Sequence, residues 1–403
     1  MQRLPELSVS AYSSVSAVGR GRAALLSALR ERRTGLKPND FSSVDLPTWI
    51  GRVEGLENEP LPASMANWEC RNNRLAWLGL CADDFAARVR EARARYGPSR
   101  IAVIVGTSTS SIAATEEAYA RLEPDGQYPP DLRRPIVHNP HSLGDFVAHA
   151  LGLSGICMTI ATACSSSAKV FAQAQRLIAL GLADAAVVGG ADTLCGSVLF
   201  GFNSLALISA DPCRPFDVSR RGISIGEAAG FALLERRNVA PQAAVCLLGA
   251  GESSDAFHMS SPHPEGLGAR RAIGAALSAA GLTPADIDYI NLHGTASDKN
   301  DGVEAQVVAD LFPPATRASS TKGWTGHTLG AAGMLEAVIT MLAIEEGLAP
   351  GTLNSATLDA ACGPQLRLEN ESVPIRHAAT HSFGFGGSNC VLIFGAIPHA
   401  RAA

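Results

Sequence analysis

A cysteine followed by three serines is the first pattern in this chain that could do chemistry. Cys164 follows an apolar run that ends at Ile160, and a helical pattern runs from Lys169 to Ile178. The thiol is therefore expected near a helix N-terminus, where the dipole favours the thiolate and free N–H groups can hold an oxyanion. A lone cysteine is usually a small buried hydrophobe. Because the flanking side chains are too small to bury this one, we interpret Cys164 as a nucleophile.

Three glycine-containing stretches in the second half carry further candidates. His293 ends an apolar strand pattern, His327 lies in the run 322–333 after Lys322, and Phe385 lies among the glycines of 384–387. Taken alone, a histidine is more often a satisfied structural residue than a catalyst. A glycine-rich turn permits close backbone approach, since it lacks Cβ atoms.

The elements that must position these residues alternate between buried strands and helices. This alternation predicts a mixed α/β fold with buried sheets. The helix after His327 looks like a counterpart of the helix after Cys164, but the repeat is too weak to assert from the sequence. The predicted strands are 101–105, 156–160, 185–188, 245–249, 287–292 and 390–394, and the predicted helices are 22–33, 71–94, 270–280 and 333–345.

Composition excludes several classes of protein. The 403 residues are 46% hydrophobic and 18% charged, which is typical of a large globular protein. The nine cysteines form no CxxC pairs, so we expect reduced thiols in a cytoplasmic protein, without a disulfide framework or a metal site. The sequence lacks an apolar run of about 18 residues, so no membrane span is expected. A net charge of −5 gives no sign of nucleic-acid binding.

Four motifs in one order carry a specific resemblance. They are TIATACSSSA at 159–168, NLHGTAS at 291–297, KGWTGHTLGAAG at 322–333 and SFGFGGSN at 382–389. Together they resemble the β-ketoacyl-acyl-carrier-protein synthases, the elongating condensing enzymes of fatty acid and polyketide synthesis, from about residue 11 to 395. The resemblance implies the thiolase fold, a five-layered α/β/α/β/α body with two pseudo-repeated halves. We place the division near 238–241: residues 1–240 hold the nucleophile and loop-rich insertions, and 241–403 hold both histidines and the glycine-rich gate loop.

The resemblance also implies a role for each catalytic candidate. Cys164 would accept the acyl group, and its backbone N–H with that of Phe385 would form the oxyanion hole. His293 and His327 would stabilise the enolate formed when a malonyl unit loses carbon dioxide. Lys322 would order the site and keep the imidazoles neutral by charge repulsion. Glu336 would pair with Lys322 or with a bound cation; an exposed helix glutamate is the alternative.

Substrate-binding residues follow from the same resemblance. Thr295 and Ser297 match hydroxyls that bond the phosphopantetheine arm, although the family usually has Thr at the second position. Phe202 and Thr109 match residues that line the acyl pocket, and Phe385 would also gate it. The arm enters as part of the substrate, so we expect no separate cofactor and no metal.

The expected partner is an acyl carrier protein, which is typically acidic. Because the enzyme is also negative overall, a local basic patch must attract the carrier. Arg71 and Arg74 share one face of a predicted helix, and Arg133 and Arg134 lie in a proline-rich region expected to be exposed. By resemblance both segments border the entrance for the arm; ordinary solvated arginines are the alternative. The chain would form a homodimer, or a heterodimer with a ketosynthase-like partner.

Other functions stay open at this point. A non-catalytic partner subunit of the same fold would lack the nucleophile, and a thiolase-like enzyme acting on coenzyme A thioesters would carry a Cys/His/Cys or Cys/His/Asn site. A papain-like hydrolase would not need the second histidine motif. Two residues depart from the family pattern: Ala228 stands where Gly is usual, and His381 where Asn is frequent.

Overall fold

The computed structural model describes residues 4–41, 45–237, 239 and 243–397. Strands and helices alternate over these ranges, as predicted for a mixed α/β protein. The strands are β1 (Leu7–Ser16), β2 (Gly19–Arg20), β3 (Lys37–Pro38), β4 (Trp49–Gly51), β5 (Ile101–Gly106), β6 (Cys157–Ile160), β7 (Ala185–Asp192), β8 (Ile225–Gly226), β9 (Ala228–Arg236), β10 (Val245–Ser254), β11 (Tyr289–Asn291), β12 (Arg317–Ser319), β13 (Leu348–Ala349), β14 (Glu371–Ser372), β15 (His377–Gly384) and β16 (Ser388–Ala396). The α-helices are α1 (Arg22–Glu31), α2 (Arg71–Cys81), α3 (Phe85–Tyr96), α4 (Ile112–Ala120), α5 (Ser142–Leu151), α6 (Ser166–Ala179), α7 (Gly196–Ser204), α8 (Leu267–Ala280), α9 (Asp298–Leu311), α10 (Lys322–Thr325) and α11 (Ala332–Glu346).

The predicted helix over 71–94 is interrupted, and this is a correction. Asp83 and Asp84 adopt left-handed backbone angles, with φ of 55° and 56°, so the chain turns between α2 and α3. Aspartate tolerates this region better than most residues because its short side chain bonds locally. The apolar positions 75–80 and 85–92 therefore belong to two helices.

The strand order reveals the internal repeat that the sequence only suggested. Starting from β1, the first half of the sheet runs β1-β9-β7-β5-β6; starting from β10, the second half runs β10-β16-β15-β11-β12. The pairing directions correspond in the two halves: in each, the first two pairings are antiparallel and the last two are parallel. The halves join where Leu7 and Ser8 pair with Leu247 and Cys246.

Two helices lie between the halves. Every residue of α11 from Ala332 to Ile344 is buried, which is expected of a helix covered on all sides. α6 packs against α11, and both helices contact strands of the two half-sheets. α2, α3 and α5 cover the outer face of one half, and α8 covers that of the other. The predicted five-layered fold is thus confirmed.

The predicted division at 238–241 lies largely outside the described residues; β9 ends at Arg236 and β10 begins at Val245. None of the described helices combines the length and apolar character needed to cross a lipid bilayer.

Candidate active site

The nucleophile lies in the loop between β6 and α6. The preceding residue, Ala163, has a φ of 51°, which is uncommon for a residue with a Cβ. Ser166 stabilises this bend: its Oγ donates to the Ala163 carbonyl at 2.5 Å and accepts the Thr162 N–H at 2.9 Å. One of the predicted flanking hydroxyls therefore holds the turn that orients Cys164.

The thiol is buried, with 5% of Cys164 exposed, although its small neighbours predicted an accessible group. Burial raises the pKa of Cys164 to about 11, against the opposing effects of the Lys322 cation and of the Phe385 backbone N–H that faces the thiol. The thiolate expected at the helix N-terminus is therefore not favoured in the free enzyme, because desolvation outweighs the Lys322 cation and the Phe385 N–H.

The two predicted histidines meet at the cysteine. His327 Nε2 lies 3.0 Å from Cys164 Sγ, and the rings of His293 and His327 are nearly perpendicular, with centroids 5.3 Å apart. One ligating atom from each of these three residues falls within 4.8 Å of the others. His293 is the second residue after β11, and His327 precedes α11, so the second half delivers both imidazoles.

A buried ion pair supports the histidines. Lys322 Nζ contacts the Glu336 carboxylate and donates to the His293 carbonyl oxygen. Burial lowers the pKa of His293 and of His327 well below the ordinary value, and the Lys322 cation lowers both further. Burial raises the pKa of Glu336 to about 7 although Lys322 opposes the shift. Glu336 therefore forms the predicted pair with Lys322 and is not an exposed helix glutamate.

A cavity of about 420 Å³ connects these groups with the surface. Cys164, His293 and His327 lie in its wall, and so do Thr295 and Ser297, whose hydroxyls are 2.9 Å apart. The predicted arm-binding hydroxyls thus line the same cavity as the predicted catalytic groups.

The glycine-rich turn closes one side of this cavity. The Phe385 ring stacks on Phe202 at a centroid distance of 5.5 Å, and both residues line the cavity. A Cβ at Gly384 would lie 2.9 Å from the Thr162 carbonyl oxygen, so only glycine lets this turn approach the cysteine loop so closely. Gly386 has a φ of 77° and is exposed, which leaves the turn room to change conformation.

Thr109 is not among the residues that line this cavity. Its N–H and Oγ1 both donate to Asp192, at 3.0 and 2.7 Å. Asp192 is fully buried and also accepts the N–H of Ser108 and that of Gly330, close to His327. Thr109 therefore belongs to a clamp between the loop after β5 and the His327 loop.

The four predicted docking arginines do not line the cavity either. Arg71, only 13% exposed in its side chain, pairs with the fully buried Glu227, so it compensates a buried charge. Arg74 pairs with Glu69. Arg133 and Arg134 donate to main-chain oxygens, and Arg133 remains exposed.

Sequence reasoning missed several residues around the site. Arg221 and Lys299 line the cavity from exposed positions, and within the described ranges neither forms an ion pair. Glu304 is buried and accepts the N–H groups of His293 and Gly294. The only sequence signal for Glu304 was a carboxylate on a helix eleven residues after a candidate histidine.

Cys164, His293 and His327 also form the one group of described side chains with the residue types and spacing to hold a metal ion. Thiolate and imidazole are zinc ligands in proteins. That the enzyme works without a metal stays a prediction.

Comparison with known proteins agrees with this geometry. The chain matches the family models "Beta-ketoacyl synthase, N-terminal domain" over residues 86–240 and "Beta-ketoacyl synthase, C-terminal domain" over 244–356. Nodulation protein E of Rhizobium meliloti is 34% identical over 335 residues, which cover 80% of this chain and 82% of the relative. The mitochondrial 3-oxoacyl-[acyl-carrier-protein] synthase of Arabidopsis thaliana is 36% identical over 272 residues, 62% of this chain and 59% of that protein.

A solved structure is similar over nearly the whole length. The ketosynthase ApeO in complex with its chain length factor ApeC, from Xenorhabdus doucetiae, superposes with a TM-score of 0.88 at 37% identity and covers 98% of each chain. The fold and the cysteine–histidine–histidine site define a condensing acyltransferase with the thiolase fold. The chain belongs to the β-ketoacyl synthase family.

Proposed function

We propose that this enzyme condenses an acyl group held on Cys164 with a malonyl unit delivered on an acyl carrier protein. One observation carries the proposal: the thiol and two neutral imidazoles converge at one cavity that the hydroxyls of Thr295 and Ser297 also line. A hydrolase would need the thiol and one histidine. A second histidine is required in a condensing enzyme, because a second acyl unit must be activated there.

In the first step Cys164 takes the acyl group from the incoming thioester. The thiol proton passes to His327 Nε2, 3.0 Å away, as the carbon–sulfur bond forms, and then protonates the departing pantetheine sulfur. A base at this distance is needed because burial raises the pKa of the thiol to about 11. The Phe385 N–H faces the sulfur and would stabilise the tetrahedral oxyanion.

In the second step the malonyl group loses carbon dioxide. The bond to the carboxylate breaks, and its electrons pass into the thioester as an enolate, whose oxygen needs hydrogen-bond donors. Neutral His293 can donate one N–H, and neutral His327 a second once its proton lies on Nε2, the nitrogen that faces the cavity. The enolate carbon then bonds to the carbonyl carbon of the Cys164 thioester, and the carbon–sulfur bond breaks. Cys164 leaves as a thiolate that takes a proton from solvent, and the β-ketoacyl product remains on the carrier.

The carrier would dock where the cavity opens. Arg221 and Lys299 present unpaired positive charge there among the described residues, while the guanidinium of Arg220 is neutralised by Asp359 at 2.7 Å. Positive charge at this opening suits an acidic carrier and the phosphate of its arm.

The direct test supplies purified enzyme with an acyl thioester and labelled malonyl-carrier protein. We expect a β-ketoacyl-carrier product, with one carbon dioxide released per product and the acyl group on Cys164 identified by mass spectrometry. If the enzyme uses malonyl-coenzyme A as well as it uses malonyl-carrier protein, the thiolase-like alternative is favoured instead. Hydrolysis without a condensed product would contradict the proposal.

We also propose that the enzyme works with a second subunit seated at β6. This strand ends the first half of the sheet, and its outer edge pairs with no described strand. Ile156, just before the strand, and Cys157, its first residue, are exposed, and an unpaired strand edge is a template for pairing with another chain. The similar ketosynthase ApeO is in complex with a chain length factor. Light scattering of the enzyme alone, and after co-expression with a ketosynthase-like partner, distinguishes a homodimer from a heterodimer; a monomer in both cases would refute the interface.

A further inference from the structure

His381 lies beside the site but has no part in the two steps above. It is on β15, fully buried, and its ring lies 5.2 Å from that of Phe383. Phe383 in turn lies 6.1 Å from the ring of His293. His381 is also the position at which this chain departs from the asparagine frequent in the family it resembles.

The contact that His381 makes leads to the backbone of His293. Its Nδ1 lies 3.1 Å from Oε1 of Glu304, a buried carboxylate on α9. The same Oε1 accepts the His293 N–H at 2.9 Å, and Oε2 accepts the Gly294 N–H at 2.8 Å. The carbonyl of His293 is held on its other side by Lys322 Nζ. His293 is therefore fixed at both of its peptide groups.

The chemistry of this contact determines which ring nitrogen of His381 carries the proton. Both Glu304 oxygens already accept backbone N–H groups, so this carboxyl group acts as an acceptor and Nδ1 of His381 is the donor. In the neutral ring, Nε2 is then unprotonated, and it is buried without a partner among the described residues. An asparagine could donate to Glu304 without leaving a ring nitrogen unsatisfied. The histidine therefore keeps the donor and adds a ring that fills the space beside Phe383.

We propose that His381 is a positioning residue for the decarboxylation step. Its Nδ1–H holds the Glu304 carboxylate, which holds the N–H groups of His293 and Gly294 and thereby sets where the His293 imidazole stands in the cavity. The inference rests on the proposed role of His293 as an enolate donor. Because acylation uses Cys164 and His327, loss of His381 should affect only the malonyl step.

The test separates the two steps in the full-length enzyme. Acylation is followed first, with a short pantetheine acyl thioester and mass detection of Cys164. Labelled malonyl-carrier protein is then added to the acylated enzyme, and carbon dioxide release is measured. For His381→Leu we expect acylation within about 2-fold of wild type and carbon dioxide release lowered about 10-fold or more in kcat with little change in KM, since a small misplacement of a reacting group is costly.

Two further variants control for packing. His381→Asn keeps an N–H donor for Glu304 and should restore release to within about 3-fold of wild type. His377→Leu removes a histidine from the same strand whose Nδ1 contacts only the Asp286 carbonyl, and it should alter neither step. If His381→Leu does not fold, His381→Met replaces it, because methionine also lacks an N–H donor, and the same loss is expected to be confined to the second step.

The outcomes distinguish this inference from the proposed function. A wild-type enzyme that releases no carbon dioxide, or a His293→Ala variant that releases it normally, refutes the role of His293. If those controls behave as proposed, an equal loss of both steps in His381→Leu shows a structural role only and overturns the inference. So does unchanged release in His381→Leu, or release in His381→Asn as low as in the leucine variant.

Discussion

The loop that carries Cys164 and the loop that carries His327 occupy equivalent places in the two halves. Each follows the edge strand of its half-sheet, β6 or β12, and each leads into one of the two helices at the centre, α6 or α11. The first loop presents a thiol on a bend held by serine hydroxyls. The second presents a cation and an imidazole, and Gly326 and Leu329 take its left-handed angles, with φ of 72° and 57°.

One scaffold thus supplies both an acid, the thiol, and bases, the imidazoles. Burial acts on both loops, yet it raises the pKa of the acid, Cys164, and lowers the pKa of the bases, His293 and His327. In each case the neutral form is favoured, as expected when charge is removed from water. The resting site is therefore a thiol beside two neutral imidazoles, with the ion pair of Lys322 and Glu336 in contact with the His293 carbonyl.

The largest effect should come from Cys164→Ala, which tests whether the two loops divide the work. Condensation should fall to the background rate because no other group accepts the acyl chain. Carbon dioxide release from malonyl-carrier protein should persist, since the second loop and His293 are intact. Labelled release no higher than in a Cys164→Ala/His293→Ala double variant would end the idea that the halves act separately.

The same comparison explains what the sequence could predict. Cys164, His293 and His327 each lie inside a short motif, and the resemblance that these motifs carry located them. The partners Glu304 and His381 lie 77 residues apart, and Arg71 and Glu227 lie 156 apart. A carboxylate or an arginine on a helix reads as solvated until the fold buries it. Long-range pairing of charges therefore cannot be read from local pattern, and carrier docking at the four predicted arginines stays a prediction.

The next effect should come from Lys322→Met, which removes the charge of the second loop. Glu336 is then a buried carboxyl without its partner, and breaking such a pair destabilises proteins by about 3–5 kcal/mol. The pKa of His293 and of His327 should rise, because the cation that lowers both is gone. Their protonation would then begin at higher pH, so the acidic limb of the kcat profile should move upward.

Two measurements check this variant. Chemical denaturation gives the free energy of unfolding, and a pH–rate profile from pH 5 to 9 gives the acidic limb. Lys322→Met/Glu336→Leu is the matched control, since it removes both charges and should recover part of the stability while keeping the altered profile. An unmoved acidic limb in both variants would show that burial alone keeps the imidazoles neutral.

A smaller effect is expected at a contact between the two halves of the chain, where Phe385 of the second half stacks on Phe202 of the first. Phe385→Ala removes a ring that covers the cavity, so acylation by long chains should slow, or chain selectivity should fade, by several-fold. Phe385→Leu keeps much of the bulk and should lie between the alanine variant and wild type. The measurement is the acylation rate over a series of acyl chain lengths. If the dependence on chain length is identical in the wild type and both variants, the Phe385 ring is not a gate.

The smallest effect is expected at the surface, where two pairs of positively charged side chains can be compared. The sequence predicted carrier docking at Arg133 and Arg134, whereas the structure has Arg221 and Lys299 lining the cavity. Each exposed charge contributes up to about 1 kcal/mol, so reversing one pair to glutamate should change KM by roughly 5- to 30-fold at low salt. We expect this for Arg221→Glu/Lys299→Glu, with a weaker salt dependence, because the removed attraction is the one that salt screens.

For Arg133→Glu/Arg134→Glu we expect a smaller rise in KM, since Arg134 is partly buried and donates to the Glu69 carbonyl at 2.8 Å. A short pantetheine thioester has no protein surface to dock, and it should be used almost equally by both variants and the wild type. A larger effect at Arg133 and Arg134 than at the cavity pair would place the carrier over the loop-rich insertion, as the sequence predicted. Equal losses with both substrates would mean that the arginines support the fold and do not bind the carrier.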